Sequence, residues 1–405
     1  MKILVVDQYY YPEEFQINEI CEQMVKDGHY VTVLTGLPNY PTGIIPEDYK
    51  RGKKRDEFIN GVHVLRSFEI GRKKNVVGMT VNYLSYAISA SIKQFFLDND
   101  FDVVFIYETS PVILAVPGEI YAKRLEKPVF FYCCDIWPEC AKVMINNENS
   151  IIYKFIKKWS TQIYQKADLI ALQSKGFFKY FEEIHHIPQN RLRYLPQFAD
   201  SNYLEIDSIR EDNGIIDFVF LGNVGIAQDI GGIINAVELL KDTLDFKVHI
   251  VGDGSYLEEA KRQVYKKHLE KFVIFYGRRP HNEMQEFYKL ADVCLATLQA
   301  DSLINLTLPS KVQEYMAAGK PILAALAGKS RDIIEQNNCG LCVMPGDVID
   351  LSEKMREYII HYEKYINYGI NGREYFKKNF TKDIFMKLLY RQIDESITLF
   401  RGKRV

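Results

Sequence analysis

The chain has 405 residues, 47% hydrophobic and 26% charged, with a formal net charge of −2. That length is too great for one ordinary core and predicts two domains. The near-neutral balance excludes a general attraction to nucleic acid, and no apolar stretch is long enough to span a bilayer. The seven cysteines, an odd number, lie mostly in apolar runs such as "VFFYCCDIW", which suits reduced core thiols in a cytoplasm.

The opening run "KILVVD" (2–7) reads as a strand. It is too short for a signal peptide and ends in Asp7. Similar apolar, β-branched runs follow at 30–36, 63–68, 102–108, 129–135 and 168–174, then at 217–223, 246–254, 273–278, 293–298, 321–326 and 340–345. They are continuous rather than alternating, as buried parallel strands are, and helical stretches separate them. The fold class is therefore α/β, with two doubly wound domains. The first spans 1–200, and the polar stretch "DSNYLEIDSIREDNG" marks a linker at 201–216. The second spans 217–383, and a terminal helix at 384–405 has the option of packing back on the first domain.

Several signals are weak. "KRGKKR" (50–55) has the ordinary reading of a solvated face. "DND" (98–100) precedes a strand, the wrong end of a sheet for a metal site. "HH" (185–186) falls in an expected surface loop, and "CGLC" (339–342) sits on a strand without a partner pair. "VGDG" (251–254) is only part of a dinucleotide loop. No metal or other cofactor is expected. The segment 71–97 sets the basic run Arg72, Lys73 and Lys74 before an apolar helix with Asn, Ser, Lys and Gln on one side. It suits a membrane surface or a core helix.

Ligands of open α/β sheets bind beyond the carboxyl ends of the strands, so residues there matter most. In "GNVGIAQDI" (222–230), Gly222 and its neighbours let backbone approach a ligand, and a helix opens there. Arg278 and Arg279 follow strand 273–278. "PSKVQEYMAAGKP" (309–321) is a tight helix opened by Pro309 and Ser310 and stopped by Gly319. It carries Lys311 in its first turn, where the dipole favours an anion, and Glu314 in its middle. Cations and amides for phosphates, with a carboxylate for ribose hydroxyls, make a set suited to a nucleotide diphosphate. The alternative is a buried Lys311–Glu314 helix pair. In "CCDIWPE" (133–139), Asp135 and Glu139 would share one face of a helical turn and could accept a proton from a hydroxyl, or Asp135 could cap a helix.

With "YYPEE" (10–14), "GHYVTVLTGLPNYPTG" (28–43), "DIWPE" (135–139), "LGNVGIAQDI" (221–230), "VGDG", "FYGRRP" (275–280) and "PSKVQEYMAAGKP", nearly the whole chain resembles the retaining nucleotide-sugar glycosyltransferases of family 4, group 1. The nearest likeness is to the bacterial subgroup that builds capsule, O-antigen and colanic acid, including fucosamine transferases. The resemblance implies a GT-B fold, two Rossmann-like domains facing across a cleft. It implies transfer from a UDP-sugar to a polyprenyl-diphosphate-linked saccharide at the inner face of the cell membrane, with the protein cytoplasmic and peripheral. Glu314 matches the acid that holds the donor ribose. Three departures stand out: Leu306 replaces the first acid of the family's paired-acid motif, Asn223 and Gln228 replace the Arg and Lys that grip the diphosphate, and Cys134 replaces a His. Diphosphate binding would then lean on Arg278, Lys311 and helix amides. The apolar Leu303, Leu306 and Leu308 point to a deoxy or N-acetylated sugar such as N-acetyl-fucosamine, unless Asn305 or Thr307 replaces the acid. A sugar-nucleotide 2-epimerase and a non-catalytic sugar-nucleotide binder are the alternatives.

Overall fold

The computed structural model describes residues 1–403 apart from 74, 144, 146, 209–212, 243 and 301–305. The chain forms two compact units. The first comprises Met1–Gln173, Phe177–Leu195 and Met386–Val405, and the second Ser174–Gly176 and Pro196–Phe385.

The first unit holds an eight-stranded sheet of β1 (Lys2–Val6), β2 (Tyr30–Thr35), β3 (Asp56–Ile59), β4 (Val62–Arg66), β5 (Val103–Glu108), β6 (Val129–Cys133), β7 (Leu169–Leu172) and β8 (Leu192–Tyr194), in the order β3-β4-β2-β1-β5-β6-β7-β8. All neighbours run parallel except β3, which pairs antiparallel with β4. Its helices are α1 (Gln16–Lys26), α2 (Val76–Lys93), α3 (Val116–Leu125), α4 (Ile151–Lys166) and α5 (Phe177–Glu183). The second unit has six parallel strands: β9 (Ile216–Leu221), β10 (Phe246–Val251), β11 (Val273–Gly277), β12 (Val293–Thr297), β13 (Ile322–Ala325) and β14 (Gly340–Val343), in the order β11-β10-β9-β12-β13-β14. Its helices are α6 (Ile230–Leu240), α7 (Leu257–Lys266), α8 (Met284–Leu290), α9 (Ser310–Ala317), α10 (Gly328–Gln336) and α11 (Val348–Asn379), followed by α12 (Lys382–Gly402). This is the strand order of a dinucleotide-binding sheet, with its topological switch between β9 and β12.

The sequence accounts for this architecture. On β9, Phe218 and Phe220 face one core with Ile233, Val237 and Leu351, while Val219 and Leu221 face another with Val312, Tyr315 and Met316. A strand buried on both faces needs apolar residues throughout, and each such side chain contributes roughly 1.5–3 kcal/mol. All twelve expected strands are present, most of them a residue or two shorter than read. The expected surface loop at 185–186 is corrected in part. His185 is buried, its Nδ1 is 2.8 Å from Thr161 Oγ1, and its ring packs against Tyr164 and Phe181; burial pushes it down to about 4. From Met386 onward α12 belongs to the first unit, where Gln392 donates to the Tyr194 carbonyl (3.0 Å) and Ser396 to that of Val129 (3.2 Å).

Helix α9 is short and ends cleanly. Gly319, at φ +67°, turns the chain, and its N–H and that of Lys320 bond back to Met316 O and Tyr315 O. The Tyr315 hydroxyl accepts from Leu221 N (3.1 Å) and donates to Leu295 O (3.1 Å), which ties α9 to the carboxyl end of β9 and the middle of β12. Tyr315→Phe is expected to destabilise the protein by about 1–3 kcal/mol in urea unfolding, because it strips partners from buried backbone groups. An unchanged midpoint would mean that the hydroxyl does not hold the helix.

Candidate functional site

The chemistry of the second unit gathers where β9 ends. Gly222 has φ +132°, a region L residues avoid, and an added Cβ would lie 3.4 Å from Lys311 Nζ. Gly252, at φ +146°, follows β10, and a Cβ there would fall 1.8 Å from Gly222 O. These two glycines let the strand-end loops touch. Beside them opens a pocket of about 550 Å³ lined by Gly222, Asn223, Gly252, Gly254 and Arg278. Asn223 Nδ2 donates to Gln228 Oε1 (3.4 Å), and Thr297 Oγ1 donates to Gln228 O (2.5 Å), fixing this turn to β12. Arg278 is exposed at the rim with no ion pair among the described residues, whereas Arg279 pairs with Glu283 (3.6 Å).

Helix α9 supplies the cation. Its N-cap, Pro309, is extended and makes no side-chain capping bond, and Ser310 is exposed beside it. The Lys311 ammonium nitrogen is fully buried and has no hydrogen-bond partner among the described residues. It lies 3.7 Å from the centroid of the Phe220 ring. Burial pushes its pKa down to about 7, against a smaller upward pull from Glu314. No ion pair joins Lys311 to Glu314, so the helix pair posed as the alternative does not form. Glu314 Oε2 instead accepts from Tyr288 Oη (2.8 Å). Burial raises its pKa, with the Tyr288 bond, His281 and Lys311 opposing. An uncompensated buried ammonium is costly, and amides, glycine backbone and a fixed cation converging on one strand end have the chemistry to hold an anion.

Leu306 is half-buried, and the loop is anchored just beyond it by Ser330 Oγ donating to Thr307 O (2.7 Å). Leu303 and Asn305 lie outside the described residues. Sequence reasoning missed Phe220 and Tyr288. Both read as core aromatics, and nothing in their local pattern says that one lies under Lys311 and the other holds Glu314.

In the first unit, Asp135 and Glu139 do not share a helical turn. Asp135 sits in a bend after β6, and Glu139 opens a short 3-10 helix on the far side of Pro138. Glu139 is occupied: it accepts from Tyr153 Oη (3.1 Å) and Tyr180 Oη, and pairs with Lys142 (2.6 Å). Asp135 is half-buried with no hydrogen bond or ion pair to its carboxylate among the described residues, so it caps no helix. Burial alone raises its pKa to about 6.

The chain matches the family profile described as Glycosyltransferase Family 4 over residues 14–203 and that described as Glycosyl transferases group 1 over residues 205–375. It therefore carries the paired family 4 and group 1 glycosyltransferase domains, on a GT-B fold. Among curated proteins, it is 26% identical over 267 residues to the probable glycosyltransferase WbjE of Pseudomonas aeruginosa, covering 63% of this chain and 65% of that protein. It is 28% identical over 259 residues to the sulfoquinovosyl transferase SQD2 of Arabidopsis thaliana, covering 60% of this chain and 48% of that one. The chain thus spans about half to two thirds of the length of these relatives. Among solved structures, sucrose-phosphate synthase of Thermosynechococcus elongatus superposes with a TM-score of 0.72 at 15% identity, over 98% of this chain and 99% of that one. HepE of Anabaena, solved in complex with UDP, gives 0.69 at 16%, over 98% and 100%. These likenesses show the fold.

Lys311 gives a signed prediction. Its folded pKa, about 7, lies below the unfolded value near 10.5, so the unfolded chain binds the extra proton between those values. The ammonium therefore lowers stability most below pH 7, and the loss fades as pH rises toward 10.5. Lys311→Met is expected to raise Tm at pH 6, with the gain shrinking above pH 8. A lowered Tm at pH 6 would mean that the ammonium is stabilising and does not await an anion.

Proposed function

We propose that the protein is a retaining glycosyltransferase that moves a sugar from a UDP-sugar to a polyprenyl-diphosphate-linked saccharide in capsule, O-antigen or exopolysaccharide synthesis. The observation that carries the reading is the buried, unpartnered Lys311 ammonium beside Gly222 and the uncapped start of α9. The paired glycosyltransferase domains and a neighbour of the same fold solved with UDP-glucose support it.

In this reading negative charge grows on the leaving diphosphate as the glycosidic bond lengthens. Lys311, the α9 amides and Arg278 oppose that charge from fixed positions, the role otherwise given to a metal. Glu314, held by Tyr288, accepts from ribose hydroxyls. Asp135, ionised above about pH 6, orients or deprotonates the acceptor hydroxyl. Leu306 offers no acceptor to a sugar hydroxyl and favours a methyl or acetamido group, whose burial contributes about 0.8 kcal/mol per carbon. Transfer of radiolabelled sugar to a lipid-linked acceptor, with UDP release, tests the reading. In EDTA, N-acetyl-fucosamine or another deoxy or N-acetylated donor is expected to exceed UDP-glucose in kcat/KM, and Leu306→Glu to narrow the gap. Loss of activity in EDTA restored by Mn²⁺ or Mg²⁺ would contradict the charge assignment. Sugar conversion without UDP release would mark an epimerase.

The reading also puts the first unit on a membrane. Helix α2 is inverted relative to an ordinary surface helix. Its polar side turns inward: Asn82 is buried on Glu69, Ser85 Oγ accepts from Ile70 N (2.9 Å) and Ser89 Oγ donates to Phe68 O. Its outward stripe is apolar, with Val77 73%, Ile88 60% and Ile92 59% exposed, Val81 and Leu84 between them, and Phe96 84% exposed just beyond. No described helix is long and apolar enough to cross a membrane. A stripe of this kind beside Arg72 and Lys73 suits the headgroup–acyl boundary; Lys74 lies outside the described residues. The protein is expected to float with vesicles containing phosphatidylglycerol, and Val77→Glu with Ile88→Glu to abolish flotation without lowering Tm. Flotation unaffected by both charges would refute this placement.

A further inference from the structure

At the carboxyl ends of β1, β2 and β4 the first unit brings together a half-buried arginine and a buried phenol. Arg72 is half-buried, its guanidinium 5.8 Å from the centroid of the Tyr40 ring and 5.6 Å from that of Tyr83. Among the described residues its side chain meets only the Met79 sulfur (Nη2–Sδ 3.3 Å) as a polar partner, and no carboxylate. The Tyr9 hydroxyl, in a residue 4% exposed, is buried without a hydrogen-bond partner among the described residues. Tyr9 packs edge-on to Tyr40 at 5.8 Å.

Glu13 and Glu69 nearby make their hydrogen bonds to amides through one oxygen each, while Glu69 Oε2 and Asp7 Oδ2 are buried without a hydrogen-bond partner among the described residues. Glu13 Oε1 accepts from the backbone N–H of Asn39 (2.7 Å) and Tyr40 (2.5 Å). Glu69 Oε1 accepts from the amides of Gln8 (2.8 Å), Asn39 (2.9 Å) and Asn82. Asn39 Oδ1 in turn accepts from Arg72 N (2.9 Å), so this network fixes the backbone of Arg72 while leaving its charge free. Burial pushes Glu13 up to about 7 and Glu69 to about 8, which weakens both further as counter-ions.

Arg72 and the Tyr9 hydroxyl are both donors, and an acceptor-rich anion would satisfy the two together. Arg72 stands ahead of α2, whose outward apolar stripe begins at Val76 and Val77. We propose that Arg72 and Tyr9, framed by Tyr40 and Tyr83, bind the phosphate of a phosphate ester carried on an apolar chain, and that this ester is the transferase acceptor. The assignment rests on the lipid-linked acceptor of the preceding section.

Geranyl diphosphate, a soluble probe, is titrated by calorimetry into the full-length protein, alongside UDP and phosphatidylglycerol vesicles. Wild type is expected to bind geranyl diphosphate in a salt-sensitive way. Arg72→Gln should weaken it on the order of 10- to 100-fold, Tyr9→Phe less, and Arg72→Lys should keep part of the affinity. UDP binding should be unchanged in all three variants. If geranyl diphosphate binds wild type and Arg72→Gln alike, or not at all, the site is refuted while UDP binding still upholds the donor reading. If only flotation is lost, Arg72 meets bulk headgroups and the acceptor assignment falls. Should Arg72→Gln fail to fold, Arg72→Lys and Tyr9→Phe decide the matter by the same measurements.

Discussion

A buried ammonium with no hydrogen-bond partner among the described residues is the constraint to which the second unit's strand ends answer. Lys311 stays there because α9 has little freedom to withdraw it: Tyr315 bonds the helix to β9 and β12, and Gly319 ends it within two turns. The Phe220 ring supplies a favourable surface for the cation. Gly222 leaves room for an anion that any larger residue would crowd. The site lies at the topological switch of the sheet, where diverging loops make a crevice. Burying this charge lowers the stability of the free protein, and in the proposed function an anion would restore it.

The first unit follows the same logic with different groups. Glu13 and Glu69 each accept from amides through one oxygen, Arg72 meets no carboxylate among the described residues, and the Tyr9 hydroxyl is buried there without a hydrogen-bond partner. Helix α2 adds a second inversion, polar toward the protein and apolar toward solvent. Both anomalies are costly in water unless a ligand or an interface relieves them.

The fold was legible because parallel strands are buried on both faces and so appear as unbroken apolar runs. The edge strand β3, "DEFI", escaped notice because half of it faces solvent, and β8 because it has only three residues. Lys311, Glu314 and Arg278 are marked as candidates by their position after strands and by the match to a family motif. Their partners are not, since Phe220 and Tyr288 come from distant segments and look like any core aromatic. Helical spacing was misleading at 135–139, where the Pro138 turn separates two acids and leaves Glu139 among tyrosines. For α2, periodicity identified the helix and both its faces but carried no information on which face turns inward. His185 shows the converse: a polar pair in a loop of which one member packs among aromatic rings.

The central claim is that the Lys311 ammonium awaits a diphosphate, and the proton on Nζ reports this directly. Heteronuclear NMR of the lysine ε-methylene group, assigned through Lys311→Met, gives its titration curve in free and UDP-bound protein. The account predicts a midpoint near 7 in the free protein, moving upward by at least two units when UDP binds. A free midpoint near 10.5, or one that UDP leaves in place, would contradict it.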